Sequence, residues 1–72
     1  MLVYINPEHN WKIIICEGLW GYAKYEVEQW NGSFWETRYD GEGNLAKCFN
    51  YLFEHKIISK DEKKHQISKW CR

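Results

Sequence analysis

The chain has 72 residues and a formal net charge of zero, and 18% of its residues are Trp, Tyr or Phe. A chain of this length forms one small domain, residues 1–72, which buries only about 60% of its unfolded surface. The apolar content of 44% is too high for a disordered segment. We therefore expect large aromatic side chains to supply much of the core. A neutral total also argues against a dedicated nucleic-acid binder, which carries a positive excess.

The charges and the cysteines are unevenly placed. Residues 1–55 hold four Lys or Arg against eight Asp or Glu, whereas residues 56–72 hold six against two. The three cysteines, Cys16, Cys48 and Cys71, are odd in number and widely spaced, which is typical of reduced thiols rather than of a secreted disulfide framework. Since the sequence shows no signal peptide and no apolar run of membrane-spanning length, we expect a cytoplasmic protein without a membrane span.

Turn-forming residues are dense in the first 43 positions and sparse afterwards, which predicts strands first and helices second, an α+β fold. Strand-forming runs at residues 2–5 and 11–16 flank a turn that contains Pro7. Residues 21–30 and 34–40 alternate between apolar and charged side chains, as half-buried strands do. The sequence therefore predicts a three- to four-stranded antiparallel meander, with a further turn at residues 17–21.

Asn31-Gly32 marks the turn between the last two strands. A two-residue loop would pair Val27 with Glu36, whereas a three-residue loop, residues 30–32 or 31–33, keeps apolar and charged side chains on separate faces. The predicted core face carries Ala23, Tyr25, Val27, Trp35, Thr37 and Tyr39. The predicted water face carries Lys24, Glu26, Glu28, Glu36, Arg38 and Asp40. Phe34 is expected near the tip of the water face, and Trp30 beside it or in the turn itself.

Two helices are predicted after the sheet. Asn44 is a candidate N-cap for a helix whose apolar residues recur at helical spacing and should cover the core face of the sheet. Those apolar residues are Leu45, Cys48, Phe49, Leu52, Phe53 and Ile57. Ser59 and Glu62 form a capping box for a shorter second helix at about residues 60–70. The stripe of this second helix is only Ile67, Trp70 and Cys71, so it needs to dock on the rest of the molecule.

The sequence carries no recognisable catalytic or metal-binding pattern. Its His and Cys residues form no C-x-x-C or H-x-x-x-H pair. Cys16 and Cys48 are interpreted as buried thiols rather than as partners of His55 in a nucleophilic pair. Carboxylates that share an open sheet face are interpreted as solvated surface rather than as an acid–base pair. We therefore expect no enzyme activity, no metal and no cofactor.

Two classes of binding remain. An acidic sheet face with aromatic side chains at its tip is typical of a protein interface, because Trp and Tyr bury large areas with little loss of entropy. The candidate binding residues are Trp30, Phe34, Glu26, Glu28, Glu36 and Arg38. The alternative is single-stranded nucleic-acid binding through exposed aromatic residues and the basic C-terminal helix, which the carboxylates of the sheet face disfavour.

The sequence is compatible with two further interpretations of the aromatic residues. Trp30 and Phe34 could pack in a second small core against Trp11, Trp20 or Tyr22, which would leave no interface there. An exposed aromatic edge could instead form a symmetric homodimer.

The stretch GEGNLAKCFNYLFEHKIISKDEKK follows Trp- and Tyr-rich strands and leads into a Lys-rich tail. In this arrangement, which spans the whole chain, the sequence resembles small accessory proteins of phages and prophages. Some of these, such as anti-CRISPR proteins and other inhibitors of host defence, bind and block a host protein. The resemblance implies a non-catalytic inhibitor that binds a host protein, with its carboxylates standing where the phosphates of a nucleic acid would lie.

Overall fold

The computed structural model describes residues 1–17 and 23–70. In these residues four strands precede two helices: β1 Leu2–Asn6, β2 Trp11–Glu17, β3 Ala23–Trp30, β4 Trp35–Glu42, α1 Leu45–Glu54 and α2 Lys60–Trp70. The strands form one antiparallel sheet in the order β1-β2-β3-β4, so the predicted α+β fold with a meander is confirmed. The second turn was predicted at residues 17–21; Glu17 is the last residue of β2, and residues 18–21 lie outside the described residues, as do Tyr22 and Cys71.

The core lies between one face of the sheet and α1. Ile13 of β2 and Val27 of β3 pair across the two central strands, and both side chains are fully buried. Phe49 and Leu52 of α1 are fully buried against them. Tyr4 extends this cluster to β1, because its ring meets the ring of Phe49 edge-on at a centroid distance of 5.3 Å. Each such side chain contributes about 1.5–3 kcal/mol relative to exposure, so these few residues hold the two layers together.

Helix α1 begins at the predicted cap and ends before its apolar stripe does. Asn44 Oδ1 accepts a hydrogen bond from the Lys47 N–H at 3.3 Å, as an N-cap side chain does. At the other end, Lys56 adopts a left-handed φ of +61°, and the Ile57 N–H donates to the Leu52 carbonyl at 2.9 Å. This is a Schellman motif, which stops the helix while Ile57 still packs against the core.

Helix α2 spans Lys60–Trp70, as predicted. Ser59 Oγ accepts a hydrogen bond from the Glu62 N–H at 3.1 Å and so caps the first turn. No residue of α2 is buried, and only Ile67 packs against the core as a half-buried side chain. The helix is therefore a thin outer layer that rests mainly on α1.

The β3–β4 hairpin differs from the odd loop that was predicted. Trp30 pairs with Trp35, so the connection is the four-residue loop 31–34. Asn31 Oδ1 accepts hydrogen bonds from the N–H groups of Ser33 and Phe34, both at 3.0 Å. Because this one side chain satisfies two loop amides, the longer loop is well ordered and replaces the three-residue turn.

A bulge in β4 returns the later side chains of this strand to the core face. Without it, a four-residue loop would place charged side chains of β4 opposite the apolar side chains of β3. Thr37 and Tyr39 pair with consecutive residues of β3, so Arg38 is the extra residue of the bulge. Val27 is therefore opposite Tyr39, and both lie on the core face, as predicted. The prediction was wrong for Trp35 and Thr37, which lie on the opposite face because they pair before the bulge shifts the register.

The other two predicted core residues of β3 differ in burial. Tyr25 packs against the core cluster, as predicted. Ala23, at the end of the strand, is exposed instead. The core face of the hairpin is thus narrower than predicted and is formed by Tyr25, Val27 and Tyr39.

Candidate functional site: the outer face of the sheet

Both helices pack on one side of the sheet, so the opposite side, called here the outer face, is not covered by any described residue. Side chains alternate along a strand, and the pair Ile13–Val27 points into the core. The adjacent pair Lys12–Glu28 must therefore point to the outer face. By the same alternation the outer face carries Leu2, Ile5, Lys12, Ile14, Cys16, Lys24, Glu26, Glu28, Trp30, Trp35, Thr37 and Asp40.

Two tryptophans form the aromatic end of the outer face. The rings of Trp30 and Trp35 pack with their centroids 5.6 Å apart and their planes tilted by 58°. Lys12 Nζ lies 4.1 Å from the centroid of the Trp35 ring, a cation–π contact that reaches across β3 on the same face. These contacts fix Trp35, while Trp30 remains 37% exposed. The pair is therefore both ordered and accessible.

Ion pairs extend along the outer face from the tryptophans to its opposite end. Lys12 Nζ lies 3.6 Å from Glu28 Oε1. Lys24 Nζ lies 3.5 Å from Glu26 Oε1 and 3.1 Å from Asp40 Oδ2. Each of the three carboxylates thus has an ammonium partner, and the outer face is more nearly balanced in charge than the sequence indicated.

Asp40 is fixed in its ionised form at the far end of this face. The Glu42 N–H donates to Asp40 Oδ1 at 2.8 Å, and this hydrogen bond, followed by the Lys24 ammonium, lowers the pKa of Asp40. The hydrogen bond to Asp40 is in turn the main cause that raises the pKa of Lys24. A catalytic general acid needs a carboxyl pKa shifted in the other direction, so Asp40 is suited to recognition rather than to proton transfer.

The structure brings three of the six candidate binding residues together. Glu26, Glu28 and Trp30 lie on the outer face, as predicted. Phe34 lies in the loop 31–34 next to Trp35, and its side chain is 59% exposed. Neither Trp30 nor Phe34 is enclosed in a second core by the described residues.

Glu36 and Arg38 are placed differently from the prediction. Glu36 pairs with Gln29, the neighbour of Glu28, so it points away from the outer face. Arg38 is the bulge residue, and its guanidinium Nη1 lies 3.7 Å from Glu36 Oε2. Both side chains are nearly half exposed, so they form an ion pair along the β4 edge rather than part of the outer face.

Sequence reasoning missed two residues that organise this face, Trp35 and Lys12. Lys12 could have been found, because it lies between Trp11 and Ile13, which both point into the core. Trp35 could not be placed without the length of the loop, since a change of one residue moves its side chain to the other side of the sheet.

The aromatic and basic features of the chain do not share one surface. The lysines of α2 lie on the helix side of the sheet, whereas Trp30 and Trp35 lie on the outer face. Lys63 is also engaged locally, because its Nζ lies 4.4 Å from the centroid of the Phe53 ring and 3.3 Å from Asn50 Oδ1. A single nucleic-acid strand would have to pass around the sheet to contact both features, which disfavours that alternative.

The described thiols and imidazoles do not form a reactive cluster. Cys48 is fully buried, and burial, followed by the charge of Asp40, raises the pKa of its thiol to about 11. Such a thiol is protonated at neutral pH and is a poor nucleophile. His55 is exposed and packs on the ring of Tyr51 at 4.1 Å. Within residues 1–17 and 23–70, no three His, Cys, Asp or Glu side chains are grouped so that they could hold a metal ion.

No protein-family model matches the chain, and neither the curated proteins nor the solved structures include a significant match to it. Neither helix in the described part of the chain has the length and apolar character that crossing a bilayer requires. Function is therefore inferred from the geometry of the outer face.

Proposed function

We propose that this chain is a non-catalytic protein-binding module that docks a partner protein on its outer face, with Trp30 and Trp35 at the centre of the contact. The observation that carries the proposal is an ordered pair of tryptophans on a sheet face that no described residue covers. Tryptophan is enriched among the residues that dominate binding energy, because one rigid ring buries a large apolar area.

The surroundings of the two tryptophans support a protein partner. A protein interface has an apolar centre within a polar rim, and here the Lys12–Glu28 ion pair lies beside the aromatic end, while the ion pairs of Lys24 lie farther along the same face. The contact of Lys12 with the Trp35 ring restricts that ring before any partner arrives. Restriction in advance lowers the entropy that is lost on binding.

The resemblance to phage accessory proteins makes a host protein, and a defence protein in particular, the first partner class to test. The carboxylates Glu26, Glu28 and Asp40 are opposed on the outer face by Lys12 and Lys24, three acids against two bases, a net charge of −1. This charge is small for a surface that replaces a phosphate backbone. We therefore place the binding energy in the tryptophan contact rather than in imitation of a nucleic acid.

Site-specific photocrosslinking tests where a partner binds. A photoreactive phenylalanine analogue replaces Thr37, which is exposed on the outer face, or Lys64, which is exposed on α2. In host lysate we expect the probe at position 37, and not the probe at position 64, to form an adduct with one protein, identified by mass spectrometry and confirmed with the purified partner. An adduct formed equally from both positions, or from position 64 alone, would place the contact elsewhere.

A matched pair of variants measures the contribution of the tryptophans. Trp30→Ser removes the exposed ring of the outer face, and Trp70→Ser removes a ring of similar exposure, 46%, from α2. With the purified partner, we expect Trp30→Ser to weaken binding about 30-fold, as loss of a central residue worth about 2 kcal/mol does. Trp70→Ser should leave the affinity unchanged. Equal affinities for both folded variants would contradict the proposal.

The nucleic-acid alternative is tested separately by a gel shift with single-stranded DNA and RNA at low and moderate salt. Phosphate contacts lose affinity steeply as salt rises. We expect no shift even at low salt. A salt-sensitive shift that Trp30→Ser abolishes would replace the protein partner with a nucleic acid.

A further inference from the structure

The two edges of the sheet differ in chemistry. Strand β4 carries Glu36, Arg38, Asp40 and Glu42 and contains two irregularities of register, features that discourage pairing with another strand. Strand β1, with the sequence LVYIN, has one shift of register, between Leu2 and Tyr4, but contains no charged residue. Among the described residues it pairs on only one side, with β2. Of the two edges, β1 is therefore the one that could accept a further strand.

The main chain of β1 presents hydrogen-bonding groups to this open edge. Met1 and Ile15 exchange two hydrogen bonds, with the Met1 N–H groups donating to the Ile15 carbonyl at 3.0 Å and the Ile15 N–H donating to the Met1 carbonyl at 2.9 Å. Since successive residues of a strand point their main-chain groups in opposite directions, the N–H and C=O of Leu2 point away from β2. The shift of register between Leu2 and Tyr4 interrupts the alternation once, and Ile5 then lies on the same face as Leu2. The outward groups on either side of this shift are the ones that a fifth strand could use.

A groove lies directly beside this edge, on the helix side of the sheet. Its volume is about 470 Å³, and its walls are β1 with the following turn on one side and the linker between the helices with the start of α2 on the other. Tyr4, Ile57 and Ile58 give it an apolar floor, while Glu8 and Glu62 contribute carboxylates. Among the described residues that line the groove, none is a lysine, an arginine or a histidine.

The negative charge of the groove also affects the Tyr4 hydroxyl on its floor. Burial, and then the negative charge of Glu62, raise the pKa of the Tyr4 hydroxyl. In the described part of the chain, neither Glu8 nor Glu62 forms an ion pair with a basic side chain. Glu62 Oε1 accepts a hydrogen bond from Gln66 at 3.0 Å, which orients the carboxylate and leaves its second oxygen available. A cationic side chain is the complement of this groove.

We propose that the open edge of β1 and the adjacent groove bind an extended segment of a partner protein as a fifth strand, with a lysine or arginine side chain of that segment inserted between Glu8 and Glu62. Addition of a strand supplies main-chain hydrogen bonds, and the groove supplies selection among side chains. This surface is separate from the aromatic end of the outer face, so it does not depend on the function proposed above.

The pleat of the added strand defines a sequence pattern for the ligand. Every second side chain points to the helix side and enters the groove, while the intervening side chains point to the outer face. There they lie beside Leu2 and Ile5, which are 52% and 48% exposed. The preferred segment therefore alternates a basic residue with apolar or β-branched residues.

A second copy of this chain is a poorer occupant of the same edge. Symmetric pairing of two β1 strands would offer each groove no lysine or arginine side chain, because β1 has none, and the Met1 ammonium beside it already donates to the Ile15 carbonyl at 3.0 Å. It would also bring the carboxylates of two grooves to the same interface. The observed charges therefore favour a basic segment of a different protein.

The test uses a capped peptide, acetyl-Thr-Val-Lys-Val-Thr-amide, and two-dimensional amide NMR of the full chain. We expect a saturable change confined to residues 2–6, 8 and 57–62. The peptide with Glu in place of Lys should bind more weakly, because Glu8 and Glu62 repel its carboxylate. A peptide whose alternate main-chain nitrogens are methylated should not bind, because it cannot extend the sheet. Binding of the Glu peptide with equal affinity, or no binding of the Lys peptide at millimolar concentration, would overturn the proposal.

Protein variants separate the two parts of the site. The double variant Glu8→Gln/Glu62→Gln should weaken binding about fivefold, the effect of losing two partly exposed ion pairs. Leu2→Pro, at the first residue of the edge strand, removes an outward N–H but no bond to β2, and it should abolish binding. Leu2→Ala, which keeps the N–H, should bind within about twofold of the original chain because main-chain bonds supply most of the affinity. Equal binding by Leu2→Pro and Leu2→Ala would exclude strand addition.

Self-association is the remaining outcome. Sedimentation of the chain without peptide should show a monomer. A dimer that Leu2→Pro dissociates, and that the Lys peptide does not displace, would assign the edge to a second copy and overturn the proposal.

Discussion

The Cys48 thiol lies directly against Gly41, and no room for a side chain remains between β4 and α1 at this point. A β-carbon added at Gly41 would overlap Cys48 Sγ and would stand 3.1 Å from the carbonyl oxygen of Asn44. Gly41 is also the extra residue where the register shifts a second time, between the pairs Glu26–Asp40 and Tyr25–Glu42. Glycine at this position lets the strand bend onto the start of α1.

Gly41→Ala is expected to destabilise the fold through this contact. Forcing a methyl group into a filled core costs about 1–3 kcal/mol. Cys48→Ala alone should cost about 1–2 kcal/mol, because it leaves a small cavity. In the double variant the methyl group at position 41 occupies the space of the lost sulfur. The double variant should therefore lose less free energy of unfolding than the sum of the losses of the two single variants. Urea unfolding of all four proteins checks this, and strictly additive losses would show that the two residues do not compete for space.

The stability that depends on Cys48 should fall at high pH. Its pKa is about 11 in the folded protein against 9.0 for an ordinary thiol, so between these values the unfolded chain binds fewer protons than the folded one. The free energy of unfolding therefore decreases as pH rises from about 9 to 11, by about 2–3 kcal/mol in total. At neutral pH and below, the thiol is protonated in both states and this contribution is constant.

Comparison with Cys48→Ala isolates this effect from the titration of lysines and tyrosines, which both proteins share. The stability difference between the original chain and Cys48→Ala should shrink or change sign between pH 8 and pH 10.5. A difference that stays constant over this range would mean that the Cys48 thiolate is tolerated in the folded state.

Lys56→Gly is expected to stabilise the protein. Lys56 has a φ of +61° at the Schellman motif that ends α1, a conformation that costs a residue with a β-carbon about 1 kcal/mol. Glycine avoids this cost but loses more entropy on folding, so the net gain should be about 0.5–1 kcal/mol. Lys64→Gly, in the exposed interior of α2, is the matched control and should lose about 1 kcal/mol. Thermal unfolding of both variants provides the comparison, and a loss at both positions would contradict the assigned cap.

Ser59→Ala should loosen α2 more than it affects the rest of the fold. Ser59 Oγ caps the first turn through the Glu62 N–H, and loss of an N-cap costs about 1 kcal/mol. Because α2 has no buried residue, this cost should appear as faster amide exchange in residues 60–70, while exchange at Ile13 and Val27 changes little. Ser68→Ala, in the exposed interior of the helix, should leave exchange unchanged or slower. Uniformly faster exchange in the sheet as well would show that α2 unfolds only with the whole domain.

The helices were predictable from the sequence because their signals are local. Asn44 and Ser59 cap the turns that immediately follow them, and the stripe of α1 repeats at helical spacing. The end of α1 was placed too late because Ile57 continues the stripe through a Schellman motif. The spacing of apolar residues is the same whether Ile57 belongs to a last helical turn or to a capping motif that packs against the core.

The core face of the hairpin was predicted only in part. Which side chains of β4 point to the core depends on both the loop length and the bulge, and each of these two features exchanges the faces, so that the second cancels the effect of the first. The four-residue loop moves Trp35 to the outer face, and the bulge at Arg38 returns Tyr39 to the core. Tyr39 was therefore assigned correctly under a loop length that was wrong. The bulge has no local signature, since β4 reads as an uninterrupted alternation, so the tryptophan pair could be found only from the pairing of the strands.

The contrast between an uncharged β1 and a charged, twice-bulged β4 also sets a limit on assembly. A sheet that could pair at both margins would propagate into a ribbon, and every added molecule would expose a new site for the next. Because only the β1 edge can accept a strand, the sheet stops growing once one strand has been added. A chain this rich in aromatic residues can thus present an unprotected strand for recognition without seeding fibrils.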